Sequence, residues 1–276
     1  MTFNTNLPPR SALYLPASNA RAIEKARGLA ADMIILDLED AVPDDRKNDA
    51  RLAAVDAVAV GFGERLMAIR MNGTECPHHA ADIAAIRGSA AGYAVVPKID
   101  TPDQATAIVS AIGKPLFAMI ETPRGVLNAA VIAAVPGICG LIAGTNDLAS
   151  ELGLPADGGR AGLSLALQTI LLAARAGNIW ALDGVFNGLA DIEGLEAECR
   201  EGRSFGFDGK TLIHPAQIAS TNRIWSASET EITEAVELIA ASRGGAQRFK
   251  GRMIETMHVE QAKMTIDRSR HTMGST

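Results

Sequence analysis

Residues 116–125 read LFAMIETPRG and residues 140–149 read GLIAGTNDLA. Each is a short apolar run that breaks off near a carboxylate, Glu121 in the first and Asp147 in the second, and then passes through a turn into a segment of helical period. Short apolar runs bounded by turn residues fit strands buried on both faces of a parallel sheet. Working outward from this pair, the same unit recurs at Ser11–Leu15, Met33–Asp37, Leu66–Arg70, Tyr93–Pro97, Trp180–Asp183 and Lys210–Ile213, which with Leu116–Ile120 and Gly140–Ala143 makes eight candidate strands. Ala-rich stretches such as AIEKARGLAA and QATAIVSAIG separate them.

Strands alternating with helices build either a closed barrel or an open doubly wound sheet. Barrel enzymes gather their chemistry at the C-terminal ends of many strands. Here the second strand runs into Asp37 and Glu39, the third into Arg70 and Asn72, and the fourth into Lys98. The fifth runs into Glu121, the sixth into Asn146 and Asp147, the seventh into Asp183 and the eighth into His214. An open dinucleotide-binding sheet would carry G-x-G-x-x-G after its first strand, where this chain has Leu-Pro-Ala-Ser-Asn. The expected fold is a TIM (βα)₈ barrel over residues 1–225, followed by a C-terminal helical extension over residues 226–276. In that extension Ser228 or Thr230 is placed to cap a helix with Ile232, Val236 and Ile239 on one face, and a further helix is expected over Val259–Arg268. The extension is expected to pack on the barrel or on a neighbouring subunit.

Composition narrows the function. The chain has 276 residues, 47% hydrophobic and 21% charged, with a net charge of −6, enough to bury a large core. An acidic balance supplies no field for nucleic acid or an anionic membrane, so a small molecule is the expected partner. The opening MTFNTNLPPRSALYLP has no basic segment leading into an apolar stretch, and no apolar run reaches bilayer length; the expected location is cytoplasmic. Cys76, Cys139 and Cys199 lie far apart without C-x-x-C spacing and read as core or loop residues.

The candidate chemistry lies at the strand ends. Glu121 and Asp147, two hard oxygen donors on neighbouring strands, suit Mg²⁺, which keeps waters and binds substrate oxygens. The competing reading is that each caps the helix that follows. Asp37, Glu39 and Asp40 in LDLED are too crowded to ionise comfortably without a nearby cation, unless they form a solvated turn before Pro43. Arg70, in the otherwise apolar LMAIRMN, is placed to aim a two-pronged donor into the mouth; an ion pair with Asp37 or Glu39 is compatible with that role. Lys98 in VVPKID fits an ion-paired support better than a Schiff-base nucleophile, since nothing local would lower its pKa. His214 precedes Pro215 and reads as a packing or hydrogen-bonding residue, and the His78-His79 doublet has no ligand spacing.

The ordered set RSALYLP, ILDLEDAV followed by K-x-x-AR, IRMNG, VVPK, IETPRGVLNA, DLA-x-x-LG and FDGK-x-x-IHP-x-QI resembles the β-subunit-like branch of the citrate lyase family, among the class II aldolases and acyl-CoA lyases. The resemblance runs from Arg10 to Ile218, with a weaker echo at Gly251–Ala262. It implies a Mg²⁺-bound barrel, usually a homotrimer, that makes or breaks a bond between an acyl unit and a 2-oxo acid. By position it implies Glu121 and Asp147 as metal ligands, with Glu121 also on the substrate, Arg70 as the substrate-binding arginine, and Asp37 and Glu39 as the acidic pair behind it. Arg21, His214 and Pro215 fall at coenzyme A contacts, and Glu255 at the position of a C-terminal acid/base carboxylate that crosses a subunit boundary. The chain departs from the family pattern at Ala17, where Gly is usual, at Asn146, where Glu commonly precedes the ligand Asp, and at Glu255, where the family has Asp. The implied activity is retro-Claisen cleavage of a malyl-, citramalyl- or citryl-CoA-type thioester. The alternatives are a coenzyme A-independent aldolase on a 2-oxo-4-hydroxy acid, or a lyase subunit served by an acyl-carrier partner.

Overall fold

The computed structural model describes residues 7–155 and 158–273. Strands β1 (Ser11–Pro16), β2 (Met33–Asp37), β3 (Leu66–Arg70), β4 (Tyr93–Val96), β5 (Leu116–Ile120), β6 (Ile138–Ala143), β7 (Trp180–Asp183) and β8 (Gly209–Leu212) pair in parallel in chain order. β8 returns to β1, with Ala12 opposite Thr211, and closes the barrel. The connecting helices are α1 (Ala20–Ala26), α2 (Lys47–Val60), α3 (His79–Gly88), α4 (Pro102–Ile112), α5 (Pro123–Ala133), α6 (Thr145–Glu151), α7 (Ser164–Ala176) and α8 (Ile192–Phe205), and α9 (Ile218–Trp225) follows the last strand.

Four strand limits differ from the sequence reading. β1 runs on to Pro16 rather than ending at Leu15. β4 stops at Val96, because Pro97 has no N–H for the ladder. β6 begins at Ile138, and Cys139 is an extra residue: Leu116 pairs with Ile138 but Phe117 with Gly140. Such a bulge is invisible to a reading by run length. β8 spans Gly209–Leu212 rather than Lys210–Ile213.

Alternate side chains of the strands, among them Ala12, Tyr14, Ile35, Ala68, Phe117 and Leu182, point inward and fill the barrel. At its N-terminal end the rings of Tyr93, Phe117 and Trp180 meet with centroids 5.6–6.2 Å apart. Closing this end with aromatic bulk leaves the C-terminal mouth as the place for chemistry. No helix among the described residues is long and apolar enough to cross a membrane.

The barrel belongs to a compact unit from Pro8 to Asn222, and the residues from Arg223 onward belong to another. The second contains α10 (Glu229–Ala241), a hairpin of β9 (Gln247–Phe249) and β10 (Arg252–Ile254), and α11 (Thr256–Met273). Ser228 caps α10 in a reciprocal pair with Glu231. The face that α10 buries is Ala235 and Leu238 with Ile239, against Ile254, Val259 and Ala262. Val236, expected on that face, is exposed, because the packing partner lies one step around the helix. The hairpin, absent from the sequence reading, turns at Lys250 and Gly251, both with positive φ (44° and 84°), as a two-residue hairpin turn requires.

Candidate active site

Asp37 and Arg70 end adjacent strands and lie directly opposite each other in the β2–β3 register. Arg70 donates from Nε and Nη2 to the two oxygens of Asp37, at 2.6 and 2.7 Å. The same oxygens accept the backbone N–H groups of Glu39 and Ala41. Asp37 is fully buried and fully engaged, so its role is to orient Arg70. The guanidinium carbon stands 4.7 Å above the ring of Tyr14 from β1, a cation–π contact in a dry setting. Nη1 points to Glu39 at 2.9 Å and to Asp40 at 3.5 Å. Burial, offset in part by Arg70, raises the Glu39 carboxyl to about 8. The LDLED turn is anchored by the buried Lys47 ammonium, which donates to the carbonyls of Leu38 and Glu39. It is therefore a built element of the mouth rather than a solvated loop.

Across the mouth the capping explanation for Glu121 and Asp147 fails. Thr122, not Glu121, caps α5 by accepting from Gly125 N–H at 2.9 Å. Asp147 lies inside the first turn of α6, whose N-cap is Gly144 and has no side-chain cap bond. Glu121 is 2% exposed, and its Oε1 accepts the backbone N–H of Lys98 at 2.8 Å. Burial, together with the nearby Asp147, raises its carboxyl to about 7. Glu121 rests against the start of α6, where a β-carbon on Gly144 would run into its side chain. The Lys98 ammonium stands 3.2 Å from Asp147 Oδ1. Burial lowers the Lys98 pKa, but Asp147, Glu121 and Glu39 together outweigh that and raise it. An ammonium held protonated is no Schiff-base nucleophile.

Two converging carboxylates, one of them a buried Glu121 whose ionisation the fold disfavours, and neither serving as a cap, form a site that fits a hard divalent cation. Among the described residues no cluster of three or more Asp, Glu, His or Cys could hold a metal, so a cation here would complete its sphere from water and substrate. The hydroxyl of Thr145, two residues before Asp147, is buried without a partner, as expected of a group that meets bound water or ligand.

Sequence reasoning missed one constellation. Asp183, at the end of β7, receives Arg160 Nη2 at 2.6 Å and the fully buried Lys210 ammonium of β8 at 3.1 Å. Glu198 of α8 lies 2.5 Å from Lys210 and 2.8 Å from Arg160, and Glu201 also reaches Arg160 at 2.8 Å. The signal was partial: Asp183 stood out as a polar strand end, but its partners are remote in sequence. This network fastens Arg160, just ahead of α7, to Asp183 on the barrel wall and to α8.

The remaining expected residues lie on other elements. Arg21 is exposed in the first turn of α1. His214 is exposed and caps the short 3-10 turn at Pro215–Gln217, its Nδ1 accepting from Ala216 N–H at 3.2 Å. Glu255 lies in the unit that starts at Arg223, where its N–H donates to His258 Nδ1. His79 contacts the carbonyl of Asn72 and His78 lies near Arg51 and Asp44, so both serve the loop after β3.

A closed parallel barrel with an oriented guanidinium and a carboxylate pair at its C-terminal mouth has the arrangement of a barrel enzyme. Residues 10–215 match the family described as HpcH/HpaI aldolase/citrate lyase, and residues 169–272 match a carbon–carbon bond lyase of the TIM-barrel fold. The chain belongs to the HpcH/HpaI aldolase/citrate lyase family, a family of carbon–carbon lyases. It is 43% identical over 267 residues to the (3S)-malyl-CoA thioesterase of Cereibacter sphaeroides, covering 94% of each chain. It is 31% identical over 298 residues to the L-malyl-CoA/beta-methylmalyl-CoA lyase of the same species, again covering 94% of each. Among solved structures it is similar to the CitE protein of Mycobacterium tuberculosis in complex with magnesium, acetoacetate and coenzyme A, with TM-score 0.81, 33% identity, and coverage of 95% of this chain and 98% of that one.

Proposed function

We propose that the chain cleaves the thioester of a 2-hydroxy acid, of the malyl-, citramalyl- or citryl-CoA type, into an acyl-CoA and a 2-oxo acid, with Mg²⁺ held by Glu121 and Asp147. The observation that carries this reading is the pairing, at one mouth, of a pre-oriented Arg70 with two carboxylates that have no capping duty. The magnesium and coenzyme A bound to the similar CitE protein support it. When held by Glu121 and Asp147, Mg²⁺ would supply a Lewis acid that polarises the developing carbonyl.

The chain's own residues account for the rest. In the cleavage the 2-hydroxyl loses its proton as it becomes a carbonyl. The bond between C2 and C3 breaks, its electron pair passes to the acyl thioester as an enolate, and that carbon takes up a proton. Arg70, fixed by Asp37 and Tyr14, stabilises the enolate oxygen without having to reorganise. Glu39, raised to about 8, exchanges a proton near neutral pH. Arg21, His214 and Pro215 are assigned to the coenzyme A portion and Glu255 to proton transfer, each by resemblance alone. The barrel is proposed as the catalytic domain of a cytoplasmic homotrimer that needs no acyl-carrier partner; light scattering checks the assembly.

A second reading, hydrolysis of the thioester at the same mouth, is favoured by the 43% identity to (3S)-malyl-CoA thioesterases. Purified protein given Mg²⁺ and (3S)-malyl-CoA separates the two. Acetyl-CoA with glyoxylate marks carbon–carbon cleavage, and malate with free coenzyme A marks hydrolysis. Neither pair of products, or turnover undiminished in Glu121→Ala, rejects the site.

A further inference from the structure

Lys98 is one of three non-glycine residues with positive φ among the described residues, at 51°. The other two, Asn178 and Lys250, lie in tight turns of the Asn or hairpin kind, where such a φ is ordinary. Lys98 lies at the mouth, one residue beyond the Pro97 that stops β4. A long side chain held in the left-handed region stores strain, and such strain concentrates where the backbone is held for a purpose.

The surroundings show what holds it. Lys98 N–H donates to Glu121 Oε1 at 2.8 Å, and Lys98 carbonyl accepts from Gln104 Nε2 at 3.1 Å. The next residue, Ile99, donates its N–H to the carbonyl of Met119 on β5. The unusual φ thus aims a backbone donor at one carboxylate while the ammonium reaches the other, 3.2 Å from Asp147 Oδ1. That ammonium is 52% exposed and Asp147 is 39% exposed, so their pairing can be exchanged for another cation without disturbing the core.

We propose that Lys98 is a positioning residue for the carboxylate pair with two separable parts: a backbone that fixes Glu121, and a side chain that serves as a resident counter-ion to Asp147, to be displaced when a divalent cation binds. The inference rests on the reading of Glu121 and Asp147 as a cation site. The two parts predict opposite effects of substitution. Lys98→Asn keeps a residue that tolerates left-handed backbone and deletes the competing charge. Lys98→Val deletes the same charge but carries a β-branched side chain that resists this φ.

Calorimetric titration of each folded protein with Mg²⁺, without substrate, tests the proposal, with thermal unfolding as a check on folding. Lys98→Asn is expected to bind Mg²⁺ about two- to fivefold more tightly than wild type, the scale of an exposed ion pair. The gain should shrink at high ionic strength. Lys98→Val is expected to bind more weakly than Lys98→Asn. Equal affinities for the two variants, or Lys98→Asn no tighter than wild type, overturn the inference while leaving the site intact if Asp147→Asn still abolishes binding. Wild-type protein that takes up no Mg²⁺ overturns the site reading and this inference with it.

Discussion

A guanidinium that must meet a negative charge as it develops needs its orientation settled beforehand, and Arg70 shows how residues separated in sequence do this. Asp37 takes two of its donors, the Tyr14 ring supports its face, and Glu39 takes a third. The burial of Glu39, which outweighs the opposing pull of Arg70, has a measurable consequence. Glu39 ionises at about 8 in the fold instead of near 4.5, so the folded state holds a proton that the unfolded chain releases. Folding is then unpenalised by this group below about pH 4.5 and progressively disfavoured as pH rises towards about 8. Glu39→Gln, which cannot ionise, should therefore gain thermal stability relative to wild type across that interval; a difference in Tm that stays flat with pH would refute the shift. At this scale the sequence disclosed that Arg70, Glu121 and Asp147 stand at the C-terminal ends of their strands, because each follows or ends an apolar run. It did not disclose the backbone of Lys98, since lysine carries no signature of left-handed φ. The capping question also stayed open until the cap proved to be Thr122.

Strands and helices bring these side chains within reach of one another, and the junctions matter most. Gly144 joins β6 to α6 so closely against Glu121 that a β-carbon would strike the carboxylate. Gly144→Ala should leave the barrel folded while weakening Mg²⁺ binding by at least about tenfold, since a displaced ligand loses its geometry; calorimetry reads this directly. Arg160, just ahead of α7, is held against Asp183, Glu198 and Glu201. Removing one member of a buried ion network leaves charges uncompensated, so Arg160→Met is expected to destabilise by about 3–5 kcal/mol, read by chemical denaturation. The eight strands were legible because buried parallel strands are continuous apolar runs with polar ends. The hairpin of β9 and β10 was not, as its strands have three residues each, are largely solvent-facing, and turn at Lys250-Gly251 rather than Asn-Gly. The buried face of α10 was misjudged for a related reason: helical spacing fixes which residues share a face but not which face finds a partner.

The whole molecule consists of a barrel that contributes the mouth and a second unit with its own core of Ala235, Leu238, Ile254 and Ala262. The choice of a barrel over an open sheet was readable because it depends on where polar residues fall along the entire chain. The cluster closing the barrel's N-terminal end adds a practical consequence. Tryptophan occurs twice in the chain, as Trp180 beside Phe117 in the barrel unit and as the buried Trp225 in the unit that begins at Arg223. Each unit thus contains its own intrinsic fluorophore, and Trp180→Phe and Trp225→Phe proteins would let emission spectra follow the melting of one unit at a time.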